Sequence, residues 1–179
     1  MTLQELLTAA LQQLDRSTDA QTLETWRDKL TRYLNDAIVD LAGNLRPRRT
    51  ETAQISGRTL DLTLLERPCI KVLALRQGGR RLPFYYGACT ASLHVPGGTD
   101  GPAEITYQYM PLMLAADTDV PELPERCHGA LVTYAVARER AAGDATAAAQ
   151  TGFALYHQMR RALRANCGEL DSYRIENAY

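Results

Sequence analysis

The stretch "TWRDKLTRYLNDAIVDLAGNLRP", residues 25–47, contains most of a long helix and the point where that helix should end. Apolar and aromatic residues recur in it every three or four positions, the spacing that places side chains on one face of an α-helix. These residues are Trp26, Leu30, Tyr33, Leu34, Ala37, Ile38 and Leu41. Gly43 suits the left-handed turn that closes many helices, and Pro47 cannot continue one. The stretch therefore predicts a helix over residues 19–43.

A shorter helix is predicted before this one, over residues 2–15. Its apolar residues show the same helical spacing, and they are Leu3, Leu6, Leu7, Ala10, Leu11 and Leu14. The segment "RSTDAQ" then interrupts the pattern, and Thr18 with Gln21 predicts a capping box at the start of the longer helix. We expect the two helices to form an antiparallel hairpin.

After Pro47 the pattern changes from a helical period to alternation, which is typical of strands. Gly78-Gly79 is a hairpin signal, because glycine accepts a positive φ without steric cost. The candidate strands are "TLDLTLL" (59–65), "CIKVLAL" (69–75), "ASLHV" (91–95) and "EITYQY" (104–109), with a further one after the glycines. No segment between them is long enough for a helical crossover, so residues 50–110 predict an antiparallel β insertion of five or six short strands.

The stretch "DTDVPELPERCHGALVTYAVARER", residues 117–140, returns the chain to helix. Prolines are tolerated in a first helical turn, and acidic residues are favoured there. We predict helices over residues 122–142 and 145–165, the latter with Leu155, Met159, Ala162 and Leu163 facing inward. The expected fold is α+β: one domain (1–165) in which both chain ends form an antiparallel helical bundle, the β insertion protrudes, and residues 166–179 form an extended C-terminal tail.

The composition narrows the class of protein. The chain has 179 residues, 45% hydrophobic and 23% charged, as is typical of a globular domain. A formal net charge of −1 argues against bulk electrostatic binding to nucleic acid or membrane. The sequence shows no signal peptide and no run of ~20 apolar residues that could span a bilayer. The four cysteines form no C-x-x-C pair, so we expect free thiols in a reducing cytoplasm.

Cys127 and His128 are adjacent and are the strongest candidates for chemistry. A nucleophilic cysteine needs a base within hydrogen-bonding reach, but neighbouring residues on a helix do not face each other. The helical pattern directs Cys127 into the core, where a thiol is inert, and leaves His128 at the surface. Structural zinc needs four ligands, usually in two close pairs, and the chain offers one such pair. We predict no catalytic, cofactor or metal site.

Two sets of residues suggest contacts with other proteins. Phe84, Tyr85 and Tyr86 are consecutive, so on a strand at least one ring points away from the core and is available to a neighbouring subunit or a tail protein. The C-terminal segment carries Tyr173, Ile175 and Tyr179, more apolar area than a solvated tail usually holds.

Two segments resemble head–tail adaptor (connector) proteins of tailed bacteriophages. Residues 25–42 resemble their opening helix, in which an aromatic residue precedes a Tyr-Leu-Asn-x-Ala run. Residues 105–163 resemble the later part of these proteins more strongly. The matching positions are Tyr107 and Pro111, Asp117 and Asp119, Leu123-Pro124-Glu125, Ala130 to Tyr134, and Tyr156 to Met159. The order and spacing of these motifs, over about half of the chain, carry the resemblance.

The resemblance implies a structural virion protein without catalytic activity, in a ring of about twelve identical subunits that closes by rotation. The ring would lie beneath the portal in the virion neck, after synthesis in the host cytoplasm, and DNA would pass through it as non-specific cargo. The C-terminal tail would dock onto the portal, so we assign that contact to Tyr173, Ile175 and Tyr179. The other end of the ring would receive tail or stopper proteins. No membrane partner is implied.

Three other functions remain open from the sequence. The chain could be another phage neck or tail-completion protein, although a β insertion between helices argues mildly against this. A thiol or metal enzyme would be centred on Cys127 and His128. A small nucleic-acid-binding protein would use the arginines between Arg46 and Arg49 and between Arg76 and Arg81.

Overall fold

A computed structural model describes residues 1–87, 91–143 and 145–166 of the chain. Within these residues, four α-helices and an antiparallel sheet of seven strands confirm the α+β class. The helices are α1 (Leu3–Gln13), α2 (Ala20–Leu45), α3 (His128–Ala142) and α4 (Thr146–Asn166). The chain divides into two compact units: a helical unit, made of Met1–Leu45 and the chain from Leu114 onward, and a β unit, Arg46–Met113.

Side-chain caps start both N-terminal helices. At α1, Thr2 and Glu5 form a capping box, in which each side chain accepts a hydrogen bond from the other residue's backbone N–H, at 3.3 and 2.9 Å. The capping box predicted for Thr18 and Gln21 is wrong, because Asp19 caps α2 and accepts from the backbone N–H of Thr22 at 2.9 Å. Hydrogen bonds from Ser17 and Thr22 lower the pKa of Asp19 to about 2.

The long helix α2 ends two residues later than its sequence predicts. Gly43 lies inside the helix, and Arg46 adopts the left-handed conformation, with φ 52°, directly before Pro47. Tertiary contacts explain the extra residues: Leu45 packs against the hydrophobic core, and the side-chain amide of Asn44 donates to the carbonyl of Arg160 at 3.2 Å. Tertiary packing and Pro47 thus determine where α2 ends and that Arg46 is the residue in the left-handed conformation.

All four helices contribute to one hydrophobic core. Its fully buried members include Leu6 of α1, Leu34 of α2, Leu131 of α3 and Tyr156 of α4. A contact between Lys29 Nζ and Glu139 Oε2 at 2.6 Å also joins α2 to α3 beside this core. Burying one large aliphatic side chain stabilises the folded state by about 2 kcal/mol. This core is therefore a principal source of stability for the helical unit.

The inward face of α4 is rotated from the predicted one. Leu155 is 49% exposed and Ala162 is exposed, so their assignment to the core is wrong. Leu163 is buried and Met159 packs against the core, as predicted, and Tyr156 is buried in addition. Gly152 lies on the side of α4 that faces α3, where a Cβ atom would lie 2.9 Å from the Cβ of Ala137. The absence of a side chain at Gly152 lets the two helices approach at this point.

Hydrogen bonds and an ion pair connect the acidic segment before α3 to α1 and α2. The side-chain amide of Asn35 accepts from the backbone N–H of Leu114 at 2.9 Å and donates to its carbonyl at 3.1 Å, as a neighbouring strand would. The carbonyl of Asp119 accepts from the N–H of Leu3 at 2.8 Å, and Asp117 pairs with Arg27. A 3-10 turn, Glu125–Cys127, then leads into α3. The segment thus supplies acceptors for the otherwise unpaired N–H groups of α1.

The β unit is one curled antiparallel sheet with strand order β4-β3-β7-β1-β2-β6-β5. Its strands are β1 (Arg48–Ser56), β2 (Thr59–Asp61), β3 (Cys69–Gln77), β4 (Arg80–Arg81), β5 (Tyr85–Tyr86), β6 (Ser92–His94) and β7 (Gly101–Tyr109). Seven strands replace the five or six predicted. The polar strand β1 had no clear apolar alternation to predict it, because only Ile55 of its nine residues is fully buried.

Two tight turns set the register of the sheet. Gly78 and Gly79, with φ 56° and 79°, join β3 to β4 as predicted, whereas Gly57 and Arg58, with φ 55° and 61°, join β1 to β2. The predicted strand over residues 59–65 stops at Asp61, whose side chain accepts from the backbone N–H of Thr63 at 2.8 Å and starts a 3-10 turn. The β unit has its own core, which includes Leu60, Leu75, Leu93, Ile105 and Tyr107.

Candidate interaction surfaces

Cys127 and His128 lie in the interior of the helical unit. Cys127 is fully buried in the hydrophobic core, as predicted, so a substrate in solvent cannot reach its sulfur. The prediction that His128 lies at the surface is wrong, because this residue is only 2% exposed. Its Nδ1 lies 3.0 Å from the N-terminal amine of Met1. Burial and the nearby N-terminal charge lower the pKa of His128. This arrangement holds the N-terminus in place.

Among the described residues, no group of three or more His, Cys, Asp or Glu side chains is placed to hold a metal ion. Neither Cys69 nor Cys127 forms a disulfide, and burial raises the pKa of Cys69. Cys89 and Cys167 lie outside the described residues.

The three consecutive aromatic residues Phe84, Tyr85 and Tyr86 have different environments. Phe84 is half-buried against the core of the β unit, and its ring meets that of Tyr86 edge-on at 6.4 Å. Tyr85 is 63% exposed, on a strand that pairs with β6 alone. Tyr85 is therefore the ring of this group that is most available to another protein.

Tyr86 holds the curled sheet together. Its strand, β5, lies at the far end of the strand order from β3, yet its hydroxyl accepts from the backbone N–H of Val72 in β3 at 3.0 Å. β4 pairs only with Arg76 and Gln77, so Val72 lies beyond the reach of that strand. The Tyr86 hydroxyl thus replaces a missing strand partner and brings two distant strands together.

The arginines that suggested nucleic-acid binding lie in the β unit or at its start. Arg49 contacts Glu51 at 3.2 Å and also pairs with Glu66, so its charge is matched locally. In the sheet register, Arg76 opposes Glu104 on β7 and Arg81 on β4. Arg49 of the first group is thus matched by internal ion pairs, and Arg76 of the second lies opposite one acidic residue.

A different basic group, which was not predicted from the sequence, lies on the helical unit. His157, Arg160, Arg161 and Arg164 follow the i, i+3, i+4, i+7 spacing of one helix face, and together with Asn44 they line a cavity of about 280 Å³. We call these four residues of α4 the arginine stripe. The sequence of α4 does indicate such a group, because it contains three arginines and no acidic residue.

Several residues that carry the resemblance to head–tail adaptors form contacts within the fold. Tyr107 is fully buried and donates to Glu51 at 3.1 Å, and burial followed by this hydrogen bond raises its pKa to about 12. Tyr156 donates to Asp40 of α2 at 2.5 Å and meets the ring of Tyr134 edge-on at 5.0 Å. Asp117 and Asp119 fasten the segment before α3, as described above. Such contacts require these residue types at these positions.

A family model described as SU10 adaptor protein matches residues 1–174. The chain belongs to the SU10 adaptor protein family. This adaptor is a phage protein, as the resemblance to head–tail adaptors predicted, and a structural family of this kind suggests a component of the virion and not an enzyme. A search of the curated proteins found no match to the sequence.

The ring of Tyr85 and the side chains of Arg161 and Arg164 in the arginine stripe are exposed on this adaptor. Tyr173, Ile175 and Tyr179, which were assigned to portal docking, lie outside the described residues. Within the described part of the adaptor, no helix has the length and apolar character to cross a membrane.

Proposed function

We propose that this adaptor forms the ring that joins the portal to the tail or stopper of a tailed phage and continues the DNA channel. The match of residues 1–174 to an adaptor family carries the proposal. The ring contains about twelve subunits, related by rotation through heterologous interfaces. Its place is the virion neck, where DNA passes through it as non-specific cargo.

Within this proposal the chain has a body, residues 1–165, in which the helices of both chain ends form the bundle, and a docking tail, residues 166–179. Tyr173, Ile175 and Tyr179 anchor the tail on the portal by burying two aromatic rings and an aliphatic side chain.

The aromatic group of the β unit provides the second contact, with a neighbouring subunit or a tail protein. Tyr85 is the residue that binds the partner, because its ring is the most exposed of the three. Phe84 and Tyr86, on either side of it in the chain, pack against each other through an edge-on ring contact.

Electron microscopy of the adaptor mixed with the portal protein of the same phage tests the ring. We expect a closed ring of adaptor density in direct contact with the portal. Native mass spectrometry of the same mixture counts the subunits in each complex. Density that touches only tail or stopper proteins would assign the chain to another neck component.

A chain that ends at Asn166 tests the docking tail. Its far-UV circular dichroism should match that of the full chain, since α4 is complete, while its co-sedimentation with the portal should be lost. Normal portal binding by the shortened chain would refute the assignment of the tail. Tyr85→Ser tests the aromatic contact: it should weaken ring or tail assembly, whereas Val120→Ser, at another exposed apolar position, should not.

A further inference from the structure

The arginine stripe concentrates positive charge on a chain whose formal net charge is −1. Arg160 is partly matched, because its Nε lies 3.2 Å from the carboxylate of Asp40. Among the residues that the structure describes, Arg161 and Arg164 have no ion pair with an acidic side chain. Two exposed guanidinium groups therefore lie near each other on α4, with no acidic partner among the described side chains.

The helix dipole does not account for this cluster. A cation at a helix C-terminus is stabilised by the dipole only within the last turn. Arg164 lies in the last turn of α4, which ends at Asn166, but Arg160 and Arg161 lie more than a turn before the end. Three like charges on one face repel one another. An anion bound between them would reduce this repulsion, which persists in the chain without a ligand.

The framework around the stripe is already ordered. The carbonyl of Arg160 accepts from the Asn44 side chain at 3.2 Å, and Asp40 accepts from the buried Tyr156 hydroxyl at 2.5 Å. Asn44 and Asp40 of α2 thus form hydrogen bonds with Arg160 and Tyr156 of α4. The arginines project from a fixed base into a cavity of about 280 Å³, which exceeds the volume of a single phosphate group.

We propose that the arginine stripe binds phosphate groups of the DNA backbone. Guanidinium groups recognise phosphate oxygens through paired hydrogen bonds. Arg160 and Arg164 are four residues apart, or about 6 Å along the helix axis, while successive phosphates of one DNA strand rise by about 3.4 Å. The stripe therefore spans roughly two phosphates, which favours a polyanion over a single free ion. The choice of DNA over an acidic protein surface rests on the proposed function, in which DNA passes through the ring.

The test is fluorescence anisotropy of a labelled short DNA duplex titrated with the full-length adaptor between 50 and 200 mM salt. Arg161→Ala/Arg164→Ala should weaken binding and reduce the slope of log affinity against log salt by about 1.8, or about 0.9 for each lost phosphate contact. Over this salt range the unmodified adaptor should then lose about tenfold more affinity than the variant.

Arg80→Ala/Arg81→Ala is the matched control, because it removes the same charge from two exposed arginines of the β unit. We expect it to leave the salt slope unchanged. Arg161→Lys/Arg164→Lys keeps the charge and should also keep the slope, with a modest loss of affinity from the missing fork geometry. Circular dichroism confirms that each variant is folded. Equal losses from the two alanine pairs would overturn the proposal.

Two further measurements distinguish DNA from the other possible ligands. Displacement of DNA by millimolar inorganic phosphate at constant ionic strength would overturn DNA as the ligand, since a single anion would then saturate the site. Unchanged DNA affinity of Arg161→Ala/Arg164→Ala together with lost portal co-sedimentation would overturn it in favour of an acidic portal surface. If the unmodified adaptor fails to bind DNA at 50 mM salt, the proposal is wrong, while the portal-binding experiment still tests the adaptor ring independently.

Discussion

Replacing Gly152 with alanine should destabilise the helical unit, although this change stabilises most helices. A Cβ atom at Gly152 would lie 2.9 Å from the Cβ of Ala137 and 3.4 Å from its Cα. Both atoms of Ala137 are fixed to the backbone of α3, so neither can rotate away. The new methyl group can be accommodated only if α3 and α4 move apart.

The expected magnitude combines opposing effects. Alanine gains about 1 kcal/mol over glycine from helix propensity, whereas forcing a methyl group into a packed interface costs about 1–3 kcal/mol. Moving α4 away also weakens the edge-on contacts of Tyr134 with Phe153 and Tyr156, which are worth about 0.5–1.5 kcal/mol each. We expect a net loss of about 1–2 kcal/mol in the free energy of unfolding.

Gly43→Ala is the matched control, since Gly43 lies inside α2 and a Cβ atom there would meet nothing within 4 Å. It should raise the free energy of unfolding by up to about 1 kcal/mol, a change of opposite sign. Urea denaturation followed by circular dichroism measures both variants. Adding Ala137→Gly to Gly152→Ala should restore part of the loss, with a coupling of at least about 1 kcal/mol. A Gly152→Ala variant as stable as the unmodified chain would refute the close approach of α3 and α4.

Three other substitutions test individual contacts. Tyr156→Phe should lower the free energy of unfolding by about 1.5–3 kcal/mol, because Asp40 loses a hydrogen bond to its charge; an unchanged urea midpoint would contradict this. Burial lowers the pKa of His128 below 6.5, so the unfolded chain binds more protons and stability should fall as pH drops below about 6.5; His128→Gln should flatten that slope, and an unaltered slope would exclude His128 as its source. Tyr86→Phe should accelerate hydrogen exchange at the Val72 amide, and Tyr85→Phe should not; equal rates in both would argue against the bond.

The helices were predictable because their signals are local. The apolar stripe of α2 and the proline that follows it lie within one segment, and α2 forms where the stripe predicts it. Helix ends were less predictable, since the Asn44 bond to Arg160 and the packing of Leu45 carry α2 past Gly43. The strand β1 escaped prediction for a similar reason: its residues are stabilised by pairing with β7, more than 45 residues away in the chain.

The interaction surfaces were less predictable than the fold. The pattern around Cys127 and His128 placed the cysteine correctly and the histidine wrongly, because the partner of His128 is the N-terminal amine, 127 residues away. Tyr85 and Tyr86 read alike in sequence, yet only the curl of the sheet brings the Tyr86 hydroxyl to Val72 and leaves Tyr85 exposed.

Periodicity, turns and motif order are properties of neighbouring residues, so the α+β class, the approximate positions of the helices and the resemblance to phage adaptors could all be predicted from the sequence. The packing of α4 could be predicted only in part: Leu163 is buried as expected, but the exposure of Leu155 and the close approach of Gly152 to Ala137 depend on how α3 and α4 meet. The same packing places the arginines of α4 beside Asn44 of α2, which turns a run of cations into a shaped cavity. Contacts between residues distant in the chain decide such features, and no local pattern encodes them.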